Sequence, residues 1–418
     1  MCSIIALVIL GLASAVWAAE GEVVAGEDAP AASWVDVADF GAVGDGVADN
    51  TDAFREAMRA LPERGGVVRV PAGQFLIAEH LVIPRWVTLE GVGRSPLRSH
   101  RVGTCLLAVE GKGDEDGIPF ITLRENSTLS GLSVFYPEQV NSAEPHPYPW
   151  CVRGDGDNCS IINVLLVNPY LGVDFGTKAA GRHYVRGLYG HPLKLGLFID
   201  RCFDVGRVED VHFWPFWSLG PIRDFSLEHG TAFLIGRTDW EYMSNCFAIG
   251  YKVGFHFKGF ENGPGNAVLT QCGSDVGPCA VLVEGVQTHA GVAFSNCQFM
   301  AGIDVRASNT GPVKFANCGF WGVDETTWHA RLAGSGQVVF SSCHFNGWNR
   351  TLMAAFCIDA DCEGLTVQGC DFMDSGNRQI RLGPKVKSAV VVGNRFRGGR
   401  KVEVETTGDV QMGLNSVR

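Results

Sequence analysis

The chain has 418 residues, 53 of them glycine, and a formal net charge of −11 at pH 7. Charged residues make up only 19% and hydrophobic residues 46%, which is neither the composition of a disordered chain nor that of a nucleic-acid-binding protein. The negative charge argues against a polyanion held by bulk electrostatics, although a few Arg and Lys side chains can still hold an acidic sugar locally.

The N-terminal residues predict a secretory signal peptide. An apolar run over residues 4–12 is followed by Val16-Trp17-Ala18, which fits the small-residue pattern that signal peptidase reads, and the run is too short to span a bilayer. We expect a signal peptide over residues 1–18, a flexible lead-in over 19–34 and a single domain over 35–418. The protein is then secreted or periplasmic and has no membrane span. A retained N-terminal anchor is the alternative, because residues 1–3 carry no Lys or Arg.

Residues 35–61 predict a strand, a tight turn and a helix. The Gly-Asp-Gly sequence at 44–46 is typical of a turn, and Asp49 or Asn50 can cap a helix start. The apolar positions that follow have the spacing of one helical face, and they are Phe54, Ala57, Met58 and Leu61. Such a helix would cover the open first coil of a stacked structure.

Three strings in this part resemble a known family: DFGAVGDG at 39–46, DNTDAF at 49–54 and VPAG at 70–73. Together they resemble the pectate-lyase-like superfamily, which includes rhamnogalacturonase-like, epimerase-like and glycoside-hydrolase-28-related proteins. The resemblance is specific for residues 35–95. It implies a right-handed parallel β-helix and, commonly, action on polysaccharides. It also implies that Asp45, Asp49 and Asp52 belong to turns and caps and are not catalytic.

The C-terminal half repeats one short phrase. VAFSNCQF at 292–299 recurs as VKFANCGF at 313–320 and VVFSSCHF at 338–345, and more loosely at 365–372. The position of the cysteine is filled about eleven times between Leu132 and Asn394. The repeat is twenty-odd residues long, apolar residues occupy every second position, and Gly or Asn lies at the corner. This pattern predicts that each repeat is one coil of a solenoid, which buries its apolar face by stacking. The predicted fold is all-β: a right-handed parallel β-helix, a pectin-lyase-like solenoid with an N-terminal capping helix.

The cysteines favour packing over metal binding. Zinc sites use clustered pairs such as C-x-x-C, and none of the 14 cysteines has a neighbour at that spacing. One cysteine per coil is what an inward ladder of small apolar side chains gives. Disulfides remain an alternative for pairs that are close in sequence, namely Cys357 with Cys362, Cys272 with Cys279, and Cys151 with Cys159.

Three steps between corner positions are long, from Val92 to Leu132, from Leu132 to Val164 and from Val211 to Cys246. Extra residues in a solenoid form loops on one side, which is often the binding side. The loops contain the acidic run at 113–116 and the aromatic runs at 146–150 and 212–217. We expect all three loops to overhang the same part of the β-helix.

The strands after the corners carry the candidate catalytic carboxylates. Alternate side chains of a strand face outward, so Asp174 and Asp200 are expected on one outer face, about 5 to 9 Å apart on coils that stack about 4.8 Å apart. Two carboxylates in this range can hydrolyse a glycosidic bond. Ordinary solvated carboxylates are the alternative interpretation. The catalytic candidates are Asp174 and Asp200, with Asp204 and His183 in reserve.

Aromatic and basic side chains near these carboxylates predict substrate binding, because tryptophan rings stack on sugars. The competing interpretation is that Phe213 and Phe216 belong to the core and only the tryptophans face outward. The candidates are Trp214, Trp217, Trp150, Arg182, Arg201, Arg207, Lys194, His256 and Lys258, with Tyr170 as a further ring.

Three functions remain open. The first is glycoside hydrolysis without a cofactor, although the paired-Asp and Gly-His-Gly signatures of glycoside hydrolase 28 enzymes are missing. The second is a uronate lyase or epimerase, possible with Ca²⁺, which asks for a basic residue and for a cation on the uronate carboxylate. The third is a non-catalytic glycan-binding or adhesive β-helix. The bases for the second are Lys194, Arg201, Arg207, Lys252 or Lys258, and Asp155 with Asp157 could hold the cation or simply form a turn. The expected partner is a polysaccharide or oligosaccharide, with no nucleic acid and no metal in the hydrolase.

Overall fold

The computed structural model describes residues 33–94, 99–215, 219–323, 326–348, 355–375 and 377–417, so the expected signal peptide and Trp217 lie outside the described residues. Almost all regular structure in the described chain is parallel β-strand, wound into a solenoid of about 14 turns. The all-β parallel β-helix predicted from the repeat is confirmed. Its right-handed sense, which parallel connections favour, stays a prediction.

The first sheet, which we name the front sheet, has 13 strands. Each coil adds one parallel strand to it, and adjacent strands pair in register except for a shift between Cys279–Val283 and Gly302–Val305. The strands are Leu81–Ile83, Ile121–Arg124, Trp150–Asp155, Leu171–Phe175, Leu195–Ile199, Thr231–Ile235, Val253–Phe257, Cys279–Val283, Gly302–Val305, Ala330–Leu332, Phe356–Ala360, Arg378–Leu382 and Val402–Val404.

The second sheet, the back sheet, has 28 strands in two ladders that share the long strands Ser160–Val167 and Tyr184–Gly190. Besides these two, the first ladder contains Trp34–Asp36, Gly66–Arg69, Val87–Glu90, Thr128–Ser130, Cys202–Glu209, Thr238–Ser244, Ala267–Thr270, Val292–Ser295, Val313–Ala316, Gln337–Ser341, Gly364–Gln368, Ser388–Val392 and Asp409–Gly413. The second ladder contains Asp45–Asp49, Gly73–Ile77, Thr104–Ala108, Ser133–Phe135, His212–Phe213, Phe247–Ile249, Gly273–Asp275, Gln298–Phe299, Gly319–Trp321, His344–Asn346, Asp371–Phe372, Arg395–Phe396 and Ser416–Val417.

The described helices are few. The 3-10 helix Val37–Phe40 and the α-helix Thr51–Ala60 lie at the N-terminal end, and the α-helix Pro221–His229 lies in a connection to the front sheet. The N-terminal helix buries Phe54, Ala57 and Met58, as the spacing predicted, and packs on the first coils. The capping role of that helix is therefore confirmed. None of the helices in the described ranges is long and apolar enough to cross a membrane.

Acidic residues near the N terminus hold turns together, as the family resemblance implies. The Oδ1 atom of Asp45 accepts hydrogen bonds from the backbone N–H groups of Val47 and Ala48, at 2.8 and 2.9 Å. The Oδ1 atom of Asp49 accepts from the N–H and the hydroxyl of Thr51 at the helix start. These carboxylates therefore have structural partners.

A left-handed residue turns the chain between the two ladders of the back sheet. Asn296 has φ of 55° and Asn317 has φ of 53°, a conformation that asparagine tolerates better than most side chains. The next residue points inward, and Cys297 Sγ lies 3.4 Å from the carbonyl oxygen of Ser295. The cysteine ladder is thus packed and structural. All thirteen cysteines from Cys105 to Cys370 are free, so the alternative disulfides are not formed.

One corner position differs from the sequence prediction. Val92, predicted to fill it, is exposed, and Thr104 occupies the inward position after a twelve-residue excursion. Its hydroxyl lies 2.9 Å from the carbonyl oxygens of Val70 and Pro71 and accepts from the N–H of Val92. A polar side chain satisfies the corner where the loop leaves it, so apolar spacing alone does not find it.

Aromatic side chains stack along the interior. Phe294, Phe315 and Phe340 form one column with ring centroids 4.9 and 5.1 Å apart. A neighbouring column continues from Phe320 through Phe345 at 4.8 Å. Each coil therefore buries its apolar face mainly against the coils before and after it.

The three predicted insertions share one place in the coil. Residues 109–120, 136–149 and 214–230 all connect the second ladder of the back sheet to the front sheet. The backbone N–H of Gly113 bonds to the carbonyl oxygen of Pro147 at 2.8 Å, and that of Leu219 to Asn141 Oδ1 at 3.3 Å. The loops are therefore tied to one another on one edge of the front sheet, as expected.

Candidate functional site

The insertions and the front sheet enclose a groove of about 440 Å³. Its floor is formed by outward residues of four consecutive front-sheet strands, and its wall by the first insertion and by the end of the helix Pro221–His229. The lining residues are Glu115, Asp116, Trp150, Arg153, Leu171, Thr177, Lys194, Leu195, His229, Thr231 and Leu234. A larger apolar groove of about 700 Å³ begins at Leu227, on the same helix, and none of the described residues that line it is titratable. The smaller groove is taken as the candidate site because it lies beside the insertions and combines cationic, acidic and aromatic side chains.

Arg153 stands at the floor of the groove and is fixed from below. Its Nε donates to Oδ2 of Asp174 at 2.6 Å, and the two residues are directly paired on adjacent strands. Asp174 is 0% exposed, and its Oδ1 accepts from the backbone N–H groups of Gly176 and Thr177 at 2.9 and 2.8 Å. The carboxylate is fully used in holding Arg153 and the following turn.

Lys194 forms the second cationic group of the groove. Its Nζ lies 2.5 Å from Oε1 of Glu115, which belongs to the first insertion, and 5.4 Å from the ring centroid of Tyr170. Tyr170 in turn packs on Phe225 at 5.7 Å, and Phe225 packs on His229 at 4.9 Å. This chain of contacts places a lysine, a phenol and an imidazole along one wall.

Aromatic rings complete the groove. Trp150 is nearly buried and stacks on Phe198 with centroids 6.2 Å apart and planes within 18°. Phe198 also packs edge-on against Phe260 at 5.4 Å. Trp150 therefore lines the groove, as expected, but most of its surface is already used in packing, and its role in sugar stacking stays a prediction.

Asp174 and Asp200 do not form the solvent-facing pair that the sequence suggested. Asp174 is paired in register with Phe198, and Asp200 lies two residues further along, beyond the end of its strand. Both carboxylates are buried, Asp200 at 3% exposure. The expected exposure is wrong because Arg153 covers one carboxylate and the next turn covers the other. Their catalytic role stays untested.

Asp200 has an unusual environment for a carboxylate. Its Oδ1 accepts from the backbone N–H of Arg237 at 2.5 Å, and its Oδ2 lies 3.9 Å from Nε of Arg201. Burial raises the pKa of Asp200 above its usual value, although these hydrogen bonds oppose the rise. Asp200 is thus a buried acid at the edge of the front sheet.

His256 and Lys258 lie on the outer face of the front sheet, beyond the groove. His256 Nε2 is 3.1 Å from Oε1 of Glu284, and Lys258 Nζ is 5.5 Å from the ring centroid of Phe260. Burial lowers the pKa of His256 although Glu284 opposes the shift. These residues extend the polar surface towards later coils.

Several other predicted residues lie away from the groove. Asp204, in the back-sheet strand Cys202–Glu209, forms an exposed ion pair at 3.0 Å with Arg182, which lies just before the strand Tyr184–Gly190. Arg207 is exposed on the back sheet, and Trp214 packs on His212 at 4.0 Å beside the back sheet. His183 is fully buried in the interior. A substrate in the groove would not contact these side chains.

The remaining candidates for lyase chemistry have structural partners or lie elsewhere. Arg201 pairs with Glu261 at 3.1 Å, and Lys252 is exposed beyond the helix Pro221–His229. Asp155 pairs with Arg124, and Asp157 pairs with Arg182 at 3.0 Å. The two aspartates therefore neutralise arginines, which agrees with the structural interpretation of this run.

Sequence reasoning missed the roles of Arg153 and His229. The sequence suggests a turn or a cation site at Asp155 and Asp157, but the strand continues to Asp155 and the turn begins only after it. The sequence does contain a signal for the continuing strand. Arg153 stands between Val152 and Gly154, directly after the apolar Trp150-Cys151, which fits an outward position in a strand. His229 lies in a helix inside the third insertion, where the strand periodicity gives no information.

Comparisons with known proteins agree with this architecture. Residues 34–103 match the family model described as rhamnogalacturonase A/epimerase, pectate lyase-like. The N-terminal fragment of gene product 12 from bacteriophage phi29 is 13% identical, with a TM-score of 0.63 over 92% of this chain and 70% of that chain. The A-module of mannuronan C-5 epimerase AlgE6 from Azotobacter vinelandii is 14% identical, with a TM-score of 0.55 over 92% of this chain and 99% of that chain.

None of the curated proteins compared with this sequence matches it. At identities of 13% and 14% the two solved structures speak for the fold alone. Residues 34–103 therefore resemble the rhamnogalacturonase A/epimerase, pectate lyase-like family, and the described chain shares the parallel β-helix fold of the two solved structures.

Proposed function

We propose that the protein is an enzyme that binds an acidic polysaccharide in the groove and removes the proton next to a uronate carboxylate, as a lyase or an epimerase does. The observation that carries the proposal is the pair of cations, Arg153 and Lys194, that line one groove beside the aromatic Trp150. A groove for a neutral sugar has no need of two cations, whereas a uronate needs its charge neutralised before its neighbouring C–H bond becomes acidic.

Arg153 is suited to hold the carboxylate. The ion pair with Asp174 uses Nε, so the terminal amino groups of the guanidinium are directed elsewhere and can take a carboxylate through two parallel hydrogen bonds. Because Asp174 is buried and anchored by two backbone N–H groups, the guanidinium needs little reorganisation when a substrate arrives.

Lys194 and His229 divide the remaining work. Lys194 is held in place by Glu115 at 2.5 Å, which positions its ammonium group for charge neutralisation. His229 is half exposed on the same wall, at the end of the helix Pro221–His229, and an imidazole is a common general base. The reaction transfers the C5 proton to His229. In a lyase the C4–O4 bond then breaks, the C4–C5 double bond forms and the departing oxygen takes a proton from water. In an epimerase water delivers a proton to the opposite face of C5, and His229 releases the first proton to solvent.

The description of the matching family model, which names an epimerase and pectate lyase, supports this reaction class. Calcium is not required in this proposal, because arginine and lysine supply the positive charge. The signal-like N terminus fits an enzyme that meets its polysaccharide outside the cytoplasm. N-terminal sequencing of protein secreted by an expression host, with cleavage expected near Ala18, tests this part.

Glycoside hydrolysis is the second candidate, and one observation favours it. Asp200 is a carboxyl whose pKa is raised by burial, which is the property of a general acid. The exposed carboxylate of Glu261 also pairs with Arg201, at 3.1 Å, and is the candidate for a second role. This mechanism leaves Arg153 and Lys194 with binding roles only.

One incubation separates these functions. The mature protein is mixed with polygalacturonate, polymannuronate and a neutral glucan in D₂O, with and without chelator. A lyase gives absorbance near 235 nm, an epimerase gives deuterium at C5 without chain cleavage, and a hydrolase gives reducing ends with neither signal. Binding with none of the three signals would make the protein a glycan-binding module and would contradict the proposal.

Matched variants then locate the site. Lys194→Met and Arg153→Met are expected to lower turnover of the acidic polymer at least a hundredfold, because each removes a group that is needed in the transition state. Lys387→Met removes the same charge from an exposed ion pair on a distant coil and should leave turnover unchanged. Equal activity of all three variants would remove the groove from consideration.

A further inference from the structure

Three metal-ligating side chains meet inside the β-helix, away from the groove. His183, Cys202 and Glu241 are each 0% exposed. One ligand atom from each, the Nε2, the Sγ and a carboxylate oxygen, lies within 4.8 Å of the other two. Nitrogen, sulfur and oxygen donors are the set that Zn²⁺ accepts, at about 2.0 to 2.3 Å, whereas Mg²⁺ and Ca²⁺ prefer oxygen alone.

The coil stacking explains why these residues meet. Gly206 is paired with Glu241 on the next coil, and its neighbour Arg207 is paired with Tyr184 on the previous coil, directly after His183. His183, Gly206 and Glu241 are therefore stacked on successive coils. A side chain at position 206 would collide with both the imidazole and the carboxylate, so the glycine leaves the room in which they approach each other.

Cys202 reaches the same place because its strand is irregular. The register between this strand and the next shifts between Cys202 and Val205. The Sγ atom remains inside the solenoid, 3.3 Å from the carbonyl oxygen of Asp204. This cysteine does not belong to the corner ladder, where each thiol follows a left-handed residue between the two ladders of the back sheet.

A second observation points to a ligand. His183 Nε2 lies 3.1 Å from Oε1 of Glu241, but Oε2 of Glu241 is buried and has no hydrogen-bond partner. A buried carboxylate oxygen without a partner is costly, and native structures rarely leave one so. His183 Nδ1 is 2.9 Å from the carbonyl oxygen of Ala180, the outer hydrogen bond that orients a metal-binding histidine and leaves Nε2 for the ion.

We infer that His183, Cys202 and Glu241 bind one divalent transition-metal ion of the zinc class, with both oxygens of Glu241 available to it. Binding replaces the Nε2 proton of the imidazole and the thiol proton, so up to two protons leave per ion. The ion would link successive coils behind the front sheet and has a structural role. Because the residues are fully buried, it enters while the chain folds.

The test uses Co²⁺ as a spectroscopic probe. The full-length mature protein is unfolded in guanidinium chloride and refolded with one equivalent of Co²⁺, and then with Zn²⁺ in competition. The expected result is one bound Co²⁺ with thiolate-to-cobalt charge-transfer absorption, which Zn²⁺ abolishes. Refolding with metal is also expected to raise the melting temperature relative to refolding with a chelator, with acid release during uptake.

Variants assign the ligands. Cys202→Ser should remove the charge-transfer band, and Glu241→Gln should weaken Co²⁺ binding at least tenfold while it keeps the side-chain shape. Cys246→Ser is the matched control, because it alters a buried corner cysteine outside the cluster and should keep the band.

Two results would overturn the inference. One is a parent protein that refolds to its native circular dichroism but shows no thiolate-cobalt band and holds no equivalent of metal. His183 and Glu241 would then be a buried ion pair. The other is a band that survives in Cys202→Ser. If Cys202→Ser does not fold, the metal content of the parent protein and the Glu241→Gln titration decide the question.

Discussion

Arg153 and Asp174 are joined across adjacent strands of the front sheet, with Nε of the arginine 2.6 Å from Oδ2 of the aspartate. The aspartate side chain is fully buried and the arginine side chain is 21% exposed. A residue that looks like a catalytic carboxylate in the sequence is therefore the support of a cation that faces the groove. We therefore expect substitution of Asp174 to affect the stability of the protein.

Asp174→Asn is expected to destabilise the protein by about 3 kcal/mol, because it leaves a partly buried arginine without its counter-charge. Chemical denaturation followed by circular dichroism measures the change. Asp359→Asn is the matched control on the same outer row of the front sheet. Its ion pair with Arg381 is 41% exposed on the aspartate side, and such pairs contribute about 0 to 1 kcal/mol. Equal losses in the two variants would show that burial of Asp174 does not matter.

Asp200 predicts a specific dependence of stability on pH. Because burial raises the pKa of Asp200 in the folded state, the folded protein holds this proton more tightly than the unfolded chain does. The stability that the protonated group contributes is present below the unfolded pKa and is lost as pH rises through the folded pKa. Asp200→Asn cannot ionise, so its stability relative to the parent should increase from acid pH to neutral pH.

Thermal melts of the parent and of Asp200→Asn at several pH values between about 3 and 7 check this sign. Asp39→Asn serves as the control, since Asp39 is an exposed residue of the N-terminal 3-10 helix. The opposite trend, with the parent gaining on Asp200→Asn as pH rises, would show that the hydrogen bond from Arg237 outweighs desolvation.

The fold could be predicted from sequence because its signal is repeated. The phrase around Cys297 recurs coil after coil, and each copy has the same two-residue alternation, so an error at one corner, such as Val92 for Thr104, does not change the conclusion. A stacked solenoid has mainly neighbour contacts, which is why local spacing carries most of its architecture.

The site was less accessible for a physical reason. The corner positions Val164 and Leu188 are 24 residues apart, and so are Asp174 and Phe198, which pair on adjacent strands. The spacing alone therefore predicts that Asp174 lies beside Phe198 and not beside Asp200. Burial is different, because it depends on Arg153 from another coil and on loops of irregular length. The cluster of His183, Cys202 and Glu241 likewise depends on the space that Gly206 leaves between stacked coils. Its residues are far apart in the sequence, so no single motif contains them.

The buried cysteines are expected to be unreactive in the native protein. Burial raises the pKa of Cys151, Cys159 and Cys362 to about 12, so almost no thiolate is present at neutral pH. A colorimetric thiol reagent should therefore label none of these three before denaturation and all of them after it. Mass spectrometry assigns the labelled sites. The labelling of Cys279, which is only partly buried, is compared with that of the three buried cysteines in the same sample. Rapid labelling of Cys151 in the native state would contradict the packed interior.

The phenylalanine column provides a test of coil stacking. Phe315 packs between Phe294 and Phe340 with centroids 4.9 and 5.1 Å away, so Phe315→Ala should leave a cavity between coils and cost about 3 to 5 kcal/mol. Lys314→Ala, an exposed position on the same strand, should change stability by no more than about 0.5 kcal/mol.

Because contacts in a solenoid are mostly between neighbours, the Phe315→Ala loss should be concentrated in the coils around it. Hydrogen exchange is then expected to accelerate in Val292–Ser295, Val313–Ala316 and Gln337–Ser341 and to change little in Gly66–Arg69. Uniform acceleration along the chain would mean that the β-helix unfolds as one cooperative unit, and that stacking spreads the damage over the whole solenoid.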